Sequence, residues 1–170
     1  MNATAKLLAS NDAYVASFAH AGMASPPAMK VAIVTCMDAR LDPARALGFH
    51  EGDAHVIRNA GGVVTDDVIR SLSISQHELG TEEIVLMHHT SCGLLTFTDE
   101  QFARARELDS GRRPPWPART FADLEDDVRD SVRRVLESPF IPRRDSVRGF
   151  VYEVESGRVR EVGHGKRLPS

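Results

Sequence analysis

Only two cysteines occur in the 170 residues, Cys36 and Cys92. So few exclude a disulfide-built scaffold, and the chain must rest on a hydrophobic core. No apolar run approaches the roughly 18 residues that a bilayer-spanning helix needs, so no membrane association is expected. Met1 to Leu8 carries one lysine and no sustained apolar stretch. No signal peptide is therefore expected, and a cytoplasmic location with reduced thiols is. Positive charge is not in excess either: 21 Lys and Arg face 24 Asp and Glu, for a net charge of −3. Aromatic residues make up only 6% of the chain. No basic surface interleaved with aromatics emerges, and a nucleic-acid partner is not expected. Neither G-x-G-x-x-G nor a Walker sequence follows the first apolar run, which sets aside dinucleotide and phosphate binders.

What is present is an ordinary globular composition, 42% apolar and 26% charged, in a length suited to one domain with a sizeable core. Residues 1–20 carry a weak helical pattern through Leu7, Leu8, Ala9, Tyr14, Val15 and Phe18, with Asn11 or Asp12 read as a cap that splits it. Gly22 to Met29, with Ser25-Pro26-Pro27, reads as a linker. Residues 1–29 are thus expected to be a helical arm and linker able to lie on a partner subunit, and residues 30–165 the domain proper.

Lys30 to Thr35 is β-branched and nearly continuous in apolar character, which fits a central parallel strand covered on both faces. Ala54 to Arg58 and Glu83 to His88 supply two more strands. Ala44 to Leu47 makes one helical turn closed by Gly48. Thr65 or Asp66 caps a helix running to about Leu79, with Val68, Ile69, Leu72 and Leu79 on its buried face. Thr98 and Gln101 resemble a capping box, opening a helix through Phe102, Ala105 and Leu108 that ends at Gly111. Pro114, Pro115 and Pro117 keep Arg112 to Arg119 out of regular helix. Thr120 to Glu137 is the clearest helix. Val147 to Val154 and Arg158 to Val162 flank a hairpin turn at Ser156-Gly157, and Gly163 to Ser170 reads as a loose tail. The order predicts an α/β fold: a single domain with a mostly parallel central β-sheet flanked by helices, and a short antiparallel strand at the C-terminal end.

The chemistry gathers where two strands end. The first empties into Cys36-Met37-Asp38-Ala39-Arg40, the third into His88-His89-Thr90-Ser91-Cys92. In open α/β sheets, ligands bind just beyond the carboxyl ends of the strands. Two thiols and one imidazole make three ligands for zinc, leaving a fourth position open, as catalytic zinc sites do. Asp38 has two choices: it can occupy that fourth position, or turn away to pair with Arg40, whose fork holds a carboxylate bidentately. A zinc-bound water with a pKa near 7 is a nucleophile for an electrophilic carbon, so hydration or hydrolysis is the chemistry indicated. His55, His77 and His88 are assigned no role in proton transfer.

Cys36-x-Asp38-x-Arg40 with His89-x-x-Cys92 resembles the zinc site of the beta-class carbonic anhydrases. Arg58-Asn59-Ala60-Gly61 is similar to that family's R-N-A-G stretch. The length, Met37 and the segment after Cys92 look most like the short bacterial form seen in actinobacteria. The resemblance implies a Zn2+ enzyme that interconverts carbon dioxide and bicarbonate by zinc-bound hydroxide. Cys36, His89 and Cys92 would be the metal ligands and Asp38 with Arg40 the catalytic dyad. Gly61 and Gly62 would bring backbone close to the substrate, and Arg58 and Asn59 would hold loops or the subunit interface rather than do chemistry. Phe97 and Trp116 are candidates for an aromatic lining. The resemblance also implies a homodimer, in some members paired to a tetramer. Two alternatives share the ligand set: a hydrolase of carbonyl sulfide or carbon disulfide, and a closed zinc protein with Asp38 as fourth ligand.

Overall fold

The computed structural model describes residues 2–163. The expected loose tail beyond Gly163, and with it the domain boundary at 165, lies outside the described residues. The elements run α1 (Ala3–Ala16), β1 (Val31–Cys36), α2 (Pro43–Leu47), β2 (Ala54–Asn59), α3 (Asp66–His77), β3 (Glu83–His89), α4 (Asp99–Ser110), α5 (Leu124–Glu137), β4 (Val147–Tyr152) and β5 (Val159–Val162). Short 3-10 turns cover Ala60–Gly62 and Gly93–Leu95. Five strands form one sheet in the order β2-β1-β3-β4-β5. All pairs are parallel except β4 with β5.

Helices start where side chains satisfy their free N–H groups. Asp42, Thr65 and Asp123 each accept from the third residue onward, and Thr98 with Gln101 forms the full reciprocal capping box. Gly48 and Gly111 close α2 and α4 in the left-handed conformation that a Cβ disfavours. The main core lies between the sheet and two helices. Val68 and Leu72 of α3, and Val132 and Val135 of α5, pack against Ala32, Val34, Ile84 and Leu86. Their period is two on the strands and three to four on the helices, so one burial surface satisfies both.

Two expectations are corrected. Helix α1 is capped by Asn2, whose side chain accepts from the Ala5 N–H, and runs unbroken through Asn11 and Asp12. Helix α5 starts at Leu124 rather than Thr120, because Asp123 is its cap. Helix α4 opens at Thr98 and ends at Gly111 as expected; it buries only Ala103, and Leu108 is exposed. Among the described residues no helix is long and apolar enough to cross a membrane.

Candidate metal centre

The register explains how residues distant in sequence meet. Thr35 of β1 stands opposite Met87 of β3, and Cys36 stands opposite Asn59 of β2. The two central strands therefore end at the same edge, tied by a buried hydrogen bond of 2.7 Å from Thr35 Oγ1 to the Met87 carbonyl. Cys36 closes β1 and His89 closes β3. Cys92 comes back to them after Ser91, which turns the chain at φ 55°. The two sulfurs and one ring nitrogen all lie within 4.8 Å of one another, and all three residues are buried.

The loop after Cys36 is braced from β2. Arg58 donates from Nε to the Cys36 carbonyl (2.9 Å) and from Nη2 to those of Asp38 (2.8 Å) and Leu41 (2.9 Å). Asn59 Nδ2 donates to the Val63 carbonyl at 2.9 Å. Both residues hold loops, one of the two roles that the resemblance implied. Asp38 and Arg40 form the bidentate pair: Nε to Oδ1 at 2.9 Å and Nη2 to Oδ2 at 2.8 Å, with the Arg40 N–H also on Oδ1. Asp38 Oδ2 is 3.8 Å from His89 Nε2, so the paired carboxylate still borders the cluster.

A cavity of about 620 Å³ opens onto Cys36, Asp38 and Cys92. Leu94, Phe97, Phe102 and Trp116 supply much of its apolar wall. Gly61 lines it. Gly62 instead packs behind, where a Cβ would meet the Thr35–Cys36 backbone at 2.9 Å. His88 turns to the opposite side of β3 from His89 and meets Asp127 of α5 at 2.6 Å.

A family model described as carbonic anhydrase matches residues 31–110. The beta-carbonic anhydrase 1 of Mycobacterium tuberculosis is 53% identical over 162 residues, which cover 95% of this chain and 99% of that protein. This chain belongs to the beta-carbonic anhydrase family. The crystal structure of carbonic anhydrase from Streptococcus mutans superposes with a TM-score of 0.91 at 46% identity, covering 96% of this chain and 99% of that one. A carbon disulfide hydrolase of Acidianus is more distant, 35% identical over 76% of this chain and 75% of its own length.

For a beta-carbonic anhydrase the donor set suits zinc. His89 Nδ1 is 2.8 Å from the Thr90 carbonyl, which can only accept, so Nδ1 carries the proton. The lone pair of Nε2 is then free, and this buried atom has no hydrogen-bond partner among the described residues. An orphaned imidazole nitrogen beside two buried thiols is what a bound metal ion would satisfy. The Cys36 thiol is held far below its ordinary range, first by the hydrogen bond from Cys92, with burial opposing, and then by the neighbouring His89 ring and the N–H groups of Asp38 and Gly61. Cys92 is pushed up, first by that same hydrogen bond and then by burial. The Arg40 side chain holds the Asp38 carboxyl well below the usual carboxylate range.

Two residues at the site escaped the sequence pattern. Phe102 stacks on Phe97 and packs against Trp116, completing the wall; the sequence marked it only as a helix residue. Glu155, in the turn after β4, bonds the hydroxyls of Thr90 and Ser91, and no motif pointed to it.

Proposed function

We propose that this family member is a zinc-dependent carbonate dehydratase, interconverting carbon dioxide and water with bicarbonate and a proton. Cys36, His89 and Cys92 would hold the metal. Zinc bound by two thiolates and an imidazole, with a fourth position open, supplies a Lewis acid that activates water near neutral pH. Arg40 fixes Asp38 through two parallel bonds, so the carboxylate stays ionised and keeps an acceptor oxygen at the edge of the cluster. That acceptor would orient a water whose oxygen bonds to the substrate carbon as one C=O electron pair moves onto its oxygen, the proton passing to solvent buffer. The walls of Leu94, Phe97, Phe102 and Trp116 give the site an apolar face that favours a small uncharged substrate. Gly61 lets backbone border the reacting position without a side chain. The two reduced cysteines fit a cytoplasmic setting. In the same reading the first 29 residues are an arm that seats on a second copy of the chain.

The observation carrying this reading is the buried Cys-His-Cys cluster with the Asp38–Arg40 pair turned onto itself rather than into the metal position. Stopped-flow hydration of carbon dioxide, on protein of known zinc content, tests it. Turnover orders of magnitude above buffer is expected, together with loss of both zinc and turnover in Cys36→Ser. Zinc-loaded protein that hydrolyses carbon disulfide and leaves carbon dioxide untouched would move the assignment to the other activity in the family.

A further inference from the structure

We infer that Glu155 is a positioning residue for the metal centre, holding the loop that carries His89 and Cys92 in the geometry both the metal and the dyad require. The inference rests on the zinc reading above. It stands on a division of labour in Thr90 and Ser91. Their carbonyls face inward: Thr90 O orients the His89 ring at 2.8 Å, and Ser91 O accepts from Arg40 Nη2 at 3.0 Å. Their hydroxyls face outward, and both end on one carboxylate. Thr90 Oγ1 donates to Glu155 Oε2 at 2.8 Å and Ser91 Oγ to Oε1 at 3.1 Å. Thr90 Oγ1 also accepts from the Val154 N–H at 3.0 Å, so its one proton is committed to Glu155.

Topology makes this reach possible. His89 pairs with Tyr152 in the parallel β3–β4 ladder, so the turn after β4 lies beside the loop after β3. The Thr90 N–H closes the ladder on the Tyr152 carbonyl at 2.9 Å. Ser91 sits at φ 55°, a conformation a non-glycine residue holds only when its surroundings fix it. Glu155 supplies that fixation from an exposed turn. It also places negative charge in the field of Arg40. Groups that orient metal ligands from outside typically alter metal affinity or activity by about 10- to 100-fold. Glu155 acts one bond further out, so about tenfold is expected.

The test compares zinc-loaded parent, Glu155→Ala, Glu155→Gln and Glu153→Ala. Glu153 is the control, a carboxylate of the same turn that binds Ser156 and Arg160 instead. Zinc transfer to an excess of a chromophoric chelator, carbon dioxide hydration and thermal melting are measured on each. Glu155→Ala should release zinc about tenfold faster and lose about tenfold in kcat/KM. Glu155→Gln, which keeps one acceptor oxygen, should recover part of both, and Glu153→Ala should match the parent in zinc release. Zinc release unchanged in Glu155→Ala, or equal in Glu155→Ala and Glu153→Ala, overturns the inference. A parent that neither retains zinc nor hydrates carbon dioxide overturns the functional reading itself, a distinct result.

Discussion

Arg40 spans the two loops of the site. One guanidinium holds Asp38, which follows β1, and the Ser91 carbonyl, which follows β3. Lysine has the charge but not the fork, so Arg40→Lys should lower kcat/KM about tenfold or more, as outer-shell changes at metal sites do. The pairing also sets a sign for pH. Unpaired aspartate titrates near about 3.9, and Arg40 holds Asp38 lower. A carboxyl depressed in the folded state contributes its full stability above the unfolded value, and that contribution is lost only as pH falls through the folded one. Between about pH 6 and 9 Asp38 therefore stays ionised. The kcat/KM profile in that range should carry no ionisation belonging to Asp38, and Asp38→Asn should lower its height. A step in the parent profile that vanishes in Asp38→Asn would mean that the paired state is not the working one.

Elements differ in how much of them local sequence determines. Caps act within three residues, so Thr65, Thr98 and the closing glycines were readable in place. So was the meeting of Cys36, His89 and Cys92, because strand ends carry them and the sheet brings strand ends together. What stayed hidden depends on partners far along the chain. Glu155 meets Thr90 across 65 residues, and Phe102 is a wall residue only because Trp116 and Phe97 fold back on it. Gly61 and Gly62 form one sequence pair with two different tasks. Gly62, at φ 72°, abuts the backbone of Thr35 and Cys36 itself, so a methyl there has nowhere to go. Gly80, at φ 71°, has nothing within 4 Å. Gly80→Ala should cost about 1–2 kcal/mol for the left-handed backbone alone. Gly62→Ala should cost about 3 kcal/mol or more through the added overlap. In a domain of this size the second amounts to a Tm lowered by about 10 °C. Thermal melting of the two variants side by side checks the order, and a Gly62→Ala change no larger than that of Gly80→Ala would refute the close-approach argument.

At the scale of the whole molecule, one end of the chain is left without a core. Helix α1 is 14 residues long and buries none of them. Leu7 is 72% exposed, Leu8 66% and Val15 62%. A helix of that length is marginal in water without packing, so its apolar side needs a surface. Within the chain it is held by the Tyr14 hydroxyl on Glu51 at 2.9 and 3.0 Å, a polar tether rather than a packed face. Beside it lies the other unfinished surface. Strand β2 is a sheet edge, with Val56 exposed, and a cavity of about 730 Å³ opens between that edge, Phe49 and Phe18. An open edge next to an uncovered apolar helix is the kind of surface on which two copies of a chain pair, and a second copy is the partner predicted for it. The parent should therefore run as a species of at least twice its 18.7 kDa in light scattering. Deleting residues 2–21, or placing glutamate at both Leu8 and Val15, should shift it to monomer. Because β2 also carries Arg58 and Asn59, which brace the loops at the metal centre, the monomer should lose hydration activity along with its partner. A truncated chain that stays dimeric would place the contact elsewhere. A monomeric one with full activity would show that each site is complete on its own.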